Sequence, residues 1–322
     1  MPNKGQGAIH LFQIAGIDVF LHWSWFVVAI LEIGYLRNRY SSLVWSILEY
    51  LALFLIVLLH EFGHALACRQ VGGTANRIML WPLGGVAYVN PPPRPGAMLW
   101  SLAAGPLVNV ALMLPLGAAY SAAGARGWAQ TMPDAYMWLG WVLFINKWLL
   151  VFNILPIYPL DGGQILWSLL WFVMGRGRSL MVATVIGFIG AAGLIFLALR
   201  SLLIESSGST WLILIAAYML LNCWSGWKVA RALIRMEKTP RRDGFACPSC
   251  GSRPPIGDHW ACAQCRQKFD TFATGAVCPH CGAQFDSTMC VNCQKLSPMR
   301  DWMAAGAHPG TVVSSSGSLV QQ

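Results

Sequence analysis

The sequence predicts an all-α polytopic membrane protein of about six transmembrane helices, followed by a small metal-stapled domain. Three observations carry this. Hydrophobic residues make up 56% of the chain and charged residues 11%, with a mean hydropathy of +0.52, which excludes an ordinary soluble domain. Apolar runs recur at about 16–36, 43–68, 98–123, 136–174, 180–199 and 209–229. After Asp243 the composition turns polar and rich in cysteine.

Taken in order, most runs are near the roughly 20 residues that a helix needs to cross a bilayer. The fourth is too long for one straight span and contains Pro156 and Pro159, so a helix broken partway is expected there. The first run starts late and lacks a small-residue cleavage site, so no cleavable signal peptide is expected. The densest basic run, Lys228, Arg231, Arg235, Lys238, Arg241 and Arg242, belongs on the cytoplasmic side. With six spans Lys4 and the N-terminus lie there too, together with Arg69, Arg77, Arg94, Arg176 and Arg178. Arg37 and Arg39 run against the rule. A prokaryotic inner or cell membrane is the economical location. The net charge of +9 is then mostly topological, with some attraction to anionic headgroups.

The second run contains His60-Glu61-Phe62-Gly63-His64. A charged side chain at bilayer depth costs roughly 2.5–3.5 kcal/mol, so polar groups there are functional by default. His60 and His64, at i and i+4, share one helix face and can hold one zinc ion. Glu61 is offset around the helix, placed to polarise a water without being a ligand. The bland alternative, a polar helix-packing cluster, does not need the intervening glutamate. Two histidines leave a tetrahedral site open, and the third ligand is expected in Asn153-Ile154-Leu155-Pro156-Ile157-Tyr158-Pro159-Leu160-Asp161-Gly162-Gly163. Proline and paired glycine interrupt the helix, and non-helical backbone at membrane depth is tolerated only where it is buried or lines a wet cavity. Asp161 is the candidate ligand, and the Asn153 amide is a candidate donor to an oxyanion or to a substrate backbone.

Together with Ala-Ala-Gly-Pro-Leu-Val-Asn at 103–109, these motifs resemble the site-2 protease family of intramembrane zinc metalloproteases, over roughly residues 15–235. The resemblance implies a three-helix catalytic core: the helix with His60 and His64, that with Gly105, Pro106 and Asn109, and that with Asp161. It carries over His60, His64 and Asp161 as ligands of a catalytic zinc, Glu61 as catalytic base and Asn153 as substrate or oxyanion contact. Asn109 is read either as part of the site or as a helix–helix hydrogen bond. The implied activity is hydrolysis of peptide bonds in transmembrane protein substrates, within the lipid bilayer. Rival readings are an inactive membrane-anchored adaptor and a membrane zinc carrier or sensor.

Residues 71–95, with Gly72-Gly73, Gly84-Gly85-Val86-Ala87-Tyr88-Val89 and three prolines, predict short strands at the membrane interface, where main-chain pairing can hold an unwound substrate. Glu32, Glu49 and Lys147 in or near the apolar runs are expected to be paired or interface-facing.

The C-terminal segment has four Cys-x-x-Cys knuckles, Cys247/Cys250, Cys262/Cys265, Cys278/Cys281 and Cys290/Cys293. They predict a double zinc ribbon with two structural ions, the first two knuckles on one and the last two on the other; a cross-braced pairing is the alternative. Trp260, Phe269, Phe272 and Phe285 supply a small core. Basic residues there are too sparse for a phosphate track, so a regulatory protein partner is expected rather than nucleic acid. The expected organisation is a cytoplasmic N-terminal segment at 1–15, a transmembrane metalloprotease domain at 16–235, a basic linker at 236–246, the double zinc ribbon at 247–303 and a disordered tail at 304–322.

Overall fold

The computed structural model describes residues 7–36, 39–81, 84–204 and 210–307. The chain divides into two compact units, Met1–Ala232 and Leu233–Gln322.

In the first unit, the apolar run expected to be the first span is split. Strands β1 (Ala8–Ile14) and β2 (Ile17–His22) come first, then a 13-residue helix, α1 (Ser24–Leu36). At 1.5 Å per residue α1 reaches about 20 Å, short of a hydrocarbon core of about 30 Å. Among the described residues five helices are long and apolar enough to cross a membrane, not six. They are α2 (Leu43–Gln70), α3 (Pro95–Ala125), α5 (Pro133–Ile154), α7 (Arg176–Ile204) and α8 (Thr210–Lys238), with the four-residue α4 (Trp128–Thr131) before α5. Ser42 caps α2 by accepting from the Val44 N–H, and α3 and α5 open on proline, whose missing donor costs nothing in a first turn. The fourth apolar run is broken where expected: residues 155–160 leave the helix and α6 (Asp161–Met174) resumes it. Many outward side chains are large and apolar, such as Leu114, Val173 and Leu221, as a lipid-facing surface requires.

Residues 71–95 form the expected hairpin, β3 (Thr74–Trp81) and β4 (Gly84–Asn90). It belongs to a larger sheet of order β1-β2-β3-β4, in which β2 lies parallel to β3 with Asp18 opposite Arg77 and Leu21 opposite Leu80. Alternation in β2 explains the union. Ile17, Val19 and Leu21 point to one face and pack with Ile78 and Leu80 against Val57, Leu58, Ala65 and Cys68 of α2. Arg69, at the end of α2, donates to the Ala15 and Gly16 carbonyls and pins the β1–β2 turn.

Glu49 is paired, as expected: it accepts from Arg39 at 2.9 Å and from the Tyr40 hydroxyl. The Arg39 guanidinium also lies 4.1 Å from the Trp141 ring centroid, so one of the two arginines at odds with the charge rule is neutralised locally. Lys147 is exposed on α5; Arg37 and the Glu32 side chain lie outside the described residues.

In the second unit, two short hairpins and the turns around them carry the knuckles. β5 (Trp260–Ala261) pairs with β6 (Lys268–Phe269), and β7 (Ser287–Met289) with β8 (Leu296–Pro298). Helix α9 (Met299–Ala307) follows, so residues 304–307 of the expected tail close a helix and 308–322 lie outside the described residues. Trp302 of α9 packs with Trp260 and Phe272, and its carbonyl accepts from Ala246 N–H at 3.0 Å.

Candidate metal centre and active site

Helix α2 brings His60 and His64 to the same face, and the first turn of α6 brings Asp161 to meet them. His60 Nε2 lies 3.0 Å from Asp161 Oδ2, His64 Nε2 lies 3.3 Å from the same oxygen, and the two Nε2 atoms are 3.1 Å apart. All three side chains are largely buried. The other ring nitrogens are committed. His64 Nδ1 donates to the Ser101 carbonyl at 2.8 Å, and His60 Nδ1 donates to Asn109 Oδ1 at 2.6 Å. A neutral imidazole has one N–H, spent here at Nδ1, so three lone-pair donors converge with no proton between them.

That arrangement asks for a cation. With Zn–N near 2.0–2.1 Å and Zn–O near 2.0–2.2 Å, the edges of a zinc tetrahedron are about 3.3–3.5 Å, close to the spacing of these donors. Gly105 on α3 makes the room, since a Cβ there would lie 2.2 Å from His64 Nε2 and 2.8 Å from His60 Nε2. Gly63 on α2 similarly lets the α3 backbone approach, a Cβ being 2.7 Å from the Ala104 carbonyl.

Glu61 points toward the sheet. Its Oε2 accepts from the Ala87 N–H of β4 at 2.8 Å, and a Cβ on Gly85 would collide with its carboxyl group. The strand therefore fixes the direction of the carboxylate.

Asn109 is fully buried and hydrogen-bonds to both α2 and α5. Its carbonyl orients His60, and its amide donates to Asn146 Oδ1 at 2.8 Å while Asn146 Nδ2 donates to the Asn109 backbone carbonyl at 2.9 Å. Asn146 was missed by sequence reasoning. The available signal was an asparagine in an apolar run, seven residues or about two turns before Asn153 and so on the same face of α5. Asn153 itself sits half-buried in the last turn of α5. The carbonyl of the next residue, Ile154, lies against Gly162, beside Asp161.

The knuckles of the second unit form two groups, but not the expected ones. Cys247 and Cys250 join Cys290 and Cys293, while Cys262 and Cys265 join Cys278 and Cys281. The outer knuckles meet as α9 packs back on the residues before Cys247, with Trp302, Phe272 and Trp260 filling the space against Cys247 and Cys290. Within each group, sulfur distances between knuckles are 3.7 Å for Cys247–Cys293, 3.8 Å for Cys250–Cys290, 3.6 Å for Cys262–Cys281 and 3.7 Å for Cys265–Cys278. A disulfide needs about 2.05 Å, whereas a tetrahedron with Zn–S near 2.3 Å has edges of about 3.8 Å. Both groups are zinc-ribbon-like.

Comparison with known proteins finds similar chains. Residues 49–126 and 125–197 match Peptidase family M50. A zinc metalloprotease of Methanocaldococcus jannaschii is 32% identical over 182 residues, covering 56% of this chain and 50% of that protein. Rip3 of Mycobacterium tuberculosis is 32% identical over 176 residues, covering 51% of this chain and 44% of Rip3. The chain thus spans about half the length of these curated relatives. Among solved structures, the site-2 protease from Methanocaldococcus jannaschii aligns with a TM-score of 0.48 and 28% identity, over 68% of this chain and 95% of that one. The likeness to the site-2 protease family read from the motifs is borne out, and the chain is an integral membrane protein.

Proposed function

We propose that this protein is an intramembrane zinc metalloendopeptidase that cuts peptide bonds in transmembrane segments of membrane proteins. The observation that carries the reading is the convergence of His60 Nε2, His64 Nε2 and Asp161 Oδ2 at 3.0–3.3 Å with both Nδ1 protons committed elsewhere. These three side chains would hold the zinc, which when bound polarises water and carbonyl groups. Glu61 takes the proton of the attacking water and returns it to the leaving amine. Its hold on the Ala87 N–H occupies Oε2, leaving Oε1 for that transfer. Asn153 donates to the oxyanion or to the substrate backbone. Strand β4 lines the approach and offers main-chain groups to a substrate unwound from its helix.

In the second unit we assign one structural zinc to Cys247, Cys250, Cys290 and Cys293 and another to Cys262, Cys265, Cys278 and Cys281, giving three ions per chain. The ribbon is assigned a regulatory, protein-binding role. Both termini are assigned to the cytoplasm. The basic residues Arg235 and Lys238 in the last turn of α8 support the cytoplasmic assignment of the C-terminal end.

The test is co-expression with a panel of tagged single-span membrane proteins, comparing wild type, Glu61→Gln and a chain ending at Arg242. The proposal expects a product that Glu61→Gln abolishes, a loss on the order of 10²–10⁴-fold. A product unchanged in Glu61→Gln sinks the catalytic assignment, and zinc-dependent flux without product favours a carrier. The shortened chain reports whether the ribbon restrains or enables cleavage.

A further inference from the structure

Asp161 enters the site at the end of the non-helical segment 155–160, and helices outside the three-helix core grip that segment through glycines. A Cβ on Gly187 of α7 would lie 2.6 Å from the Tyr158 carbonyl oxygen and 2.5 Å from Cys223 Sγ. One on Gly190, a turn further, would lie 2.5 Å from Ile157 Cγ2, and one on Gly226 of α8 would lie 2.9 Å from the Tyr158 ring. The Cys223 thiol of α8 donates to the same Tyr158 carbonyl at 3.2 Å. These glycines have ordinary helical backbone, so closeness rather than a special φ is what demands them. The neighbouring buried positions Ala183, Ala191, Cys223 and Ala230 are small as well. Gly193, on α7 too, meets nothing within 4 Å.

We infer that α7 and α8 act as positioning helices for Asp161, with Gly187, Gly190 and Gly226 seating the Ile157–Tyr158 backbone so that the carboxylate reaches the two histidines. The inference rests on the reading of His60, His64 and Asp161 as metal ligands. A methyl group on Gly187 has to move the Tyr158 carbonyl about 1 Å to reach ordinary contact, beyond the roughly 0.5 Å a functional site tolerates. Alanine otherwise favours a helix over glycine, so any loss arises from the clash and not from the helix.

The experiment measures zinc per chain retained by the detergent-solubilised full chain during dialysis against a weak chelator, with Asp161→Asn as reference. Gly187→Ala is expected to lose the zinc that Asp161→Asn loses, retention weakening by about tenfold or more, while Gly193→Ala keeps it. Gly190→Ala is expected to lose part, and adding Ile157→Ala to restore it, because the three nearest atoms the new methyl meets all belong to that side chain. Wild-type retention in Gly187→Ala beside a loss in Asp161→Asn overturns the inference. Full retention in Asp161→Asn overturns the metal-site reading beneath it instead. Should Gly187→Ala fail to fold by circular dichroism and gel filtration, the Gly190 pair decides: no loss, or a loss that Ile157→Ala leaves unrescued, overturns the inference.

Discussion

The membrane site and the cysteine knuckles gather metal-ligating side chains in opposite ways. In the knuckles each pair of thiols sits on one short turn, closed by its own backbone bonds such as Cys247 N–H to the Ser252 carbonyl and Cys290 N–H to the Lys295 carbonyl. In the membrane, Asp161 lies 101 residues from His60, and the histidines are aimed by groups on other helices. Local turns bring ligands in ready pairs and leave their partnering to the tertiary fold. The membrane site draws its candidate ligands from helices far apart in sequence and leaves their aim to neighbours such as Asn109 and Ser101.

The sharpest way to break this comparison is through the knuckle pairing. Cys290→Ser is expected to release Cys247 and Cys250 to alkylation and leave Cys262, Cys265, Cys278 and Cys281 protected. The effect is the largest because structural zinc in such modules contributes about 10–16 kcal/mol of apparent binding energy. Mass spectrometry of the labelled chain reads it; labelling of Cys278 and Cys281 instead would restore the sequential pairing. Next comes Asn146→Ala, which removes a support rather than a ligand. It is expected to weaken zinc retention at the histidines by about 10–100-fold while the ribbon keeps its metal, as a chelator titration would show. Retention as in wild type would mean Asn109 orients His60 unaided.

Gly85→Val separates the glutamate from the metal. The new side chain is expected to displace Glu61, lowering cleavage at least tenfold with zinc content unchanged; lost zinc would place Gly85 in the metal site itself. The smallest effect concerns Asp270 in the ribbon. Burial alone pushes its carboxyl group up, but the Gly257 and Ala273 N–H groups and Arg242 outweigh it and hold the group below its usual range. A depressed folded value contributes stability that is fully present above the unfolded value near 3.9 and is lost as pH falls through the folded one. Asp270→Asn should therefore melt a few degrees lower than wild type at pH 7, and the gap should narrow in acid. A gap that widens in acid would reverse the sign.

The same contrast explains what the sequence made legible. His60, His64, Glu61 and Asp161 stood out because polar groups are rare in apolar runs and their spacing matches a metal's needs. Asn146 is just as polar, yet it belongs to no local motif, and its part in the site exists only once α3 and α5 pack. The hairpin at 74–90 was readable from its glycines, whereas β2 was hidden: its apolar alternation merges with α1 into one hydrophobic stretch, and its partner β3 lies more than fifty residues away. The knuckles were plain as pairs, but their order along the chain suggested sequential partners, which the fold does not adopt. What decided it was Trp302, a residue beyond the last cysteine.

The most direct test of the central claim counts zinc and cleavage product side by side in wild type, Glu61→Gln and Asp161→Asn from the same membranes. The account predicts that Glu61→Gln keeps the wild-type zinc and loses the product, while Asp161→Asn loses both. Wild-type zinc in Asp161→Asn, or wild-type product in Glu61→Gln, would contradict it.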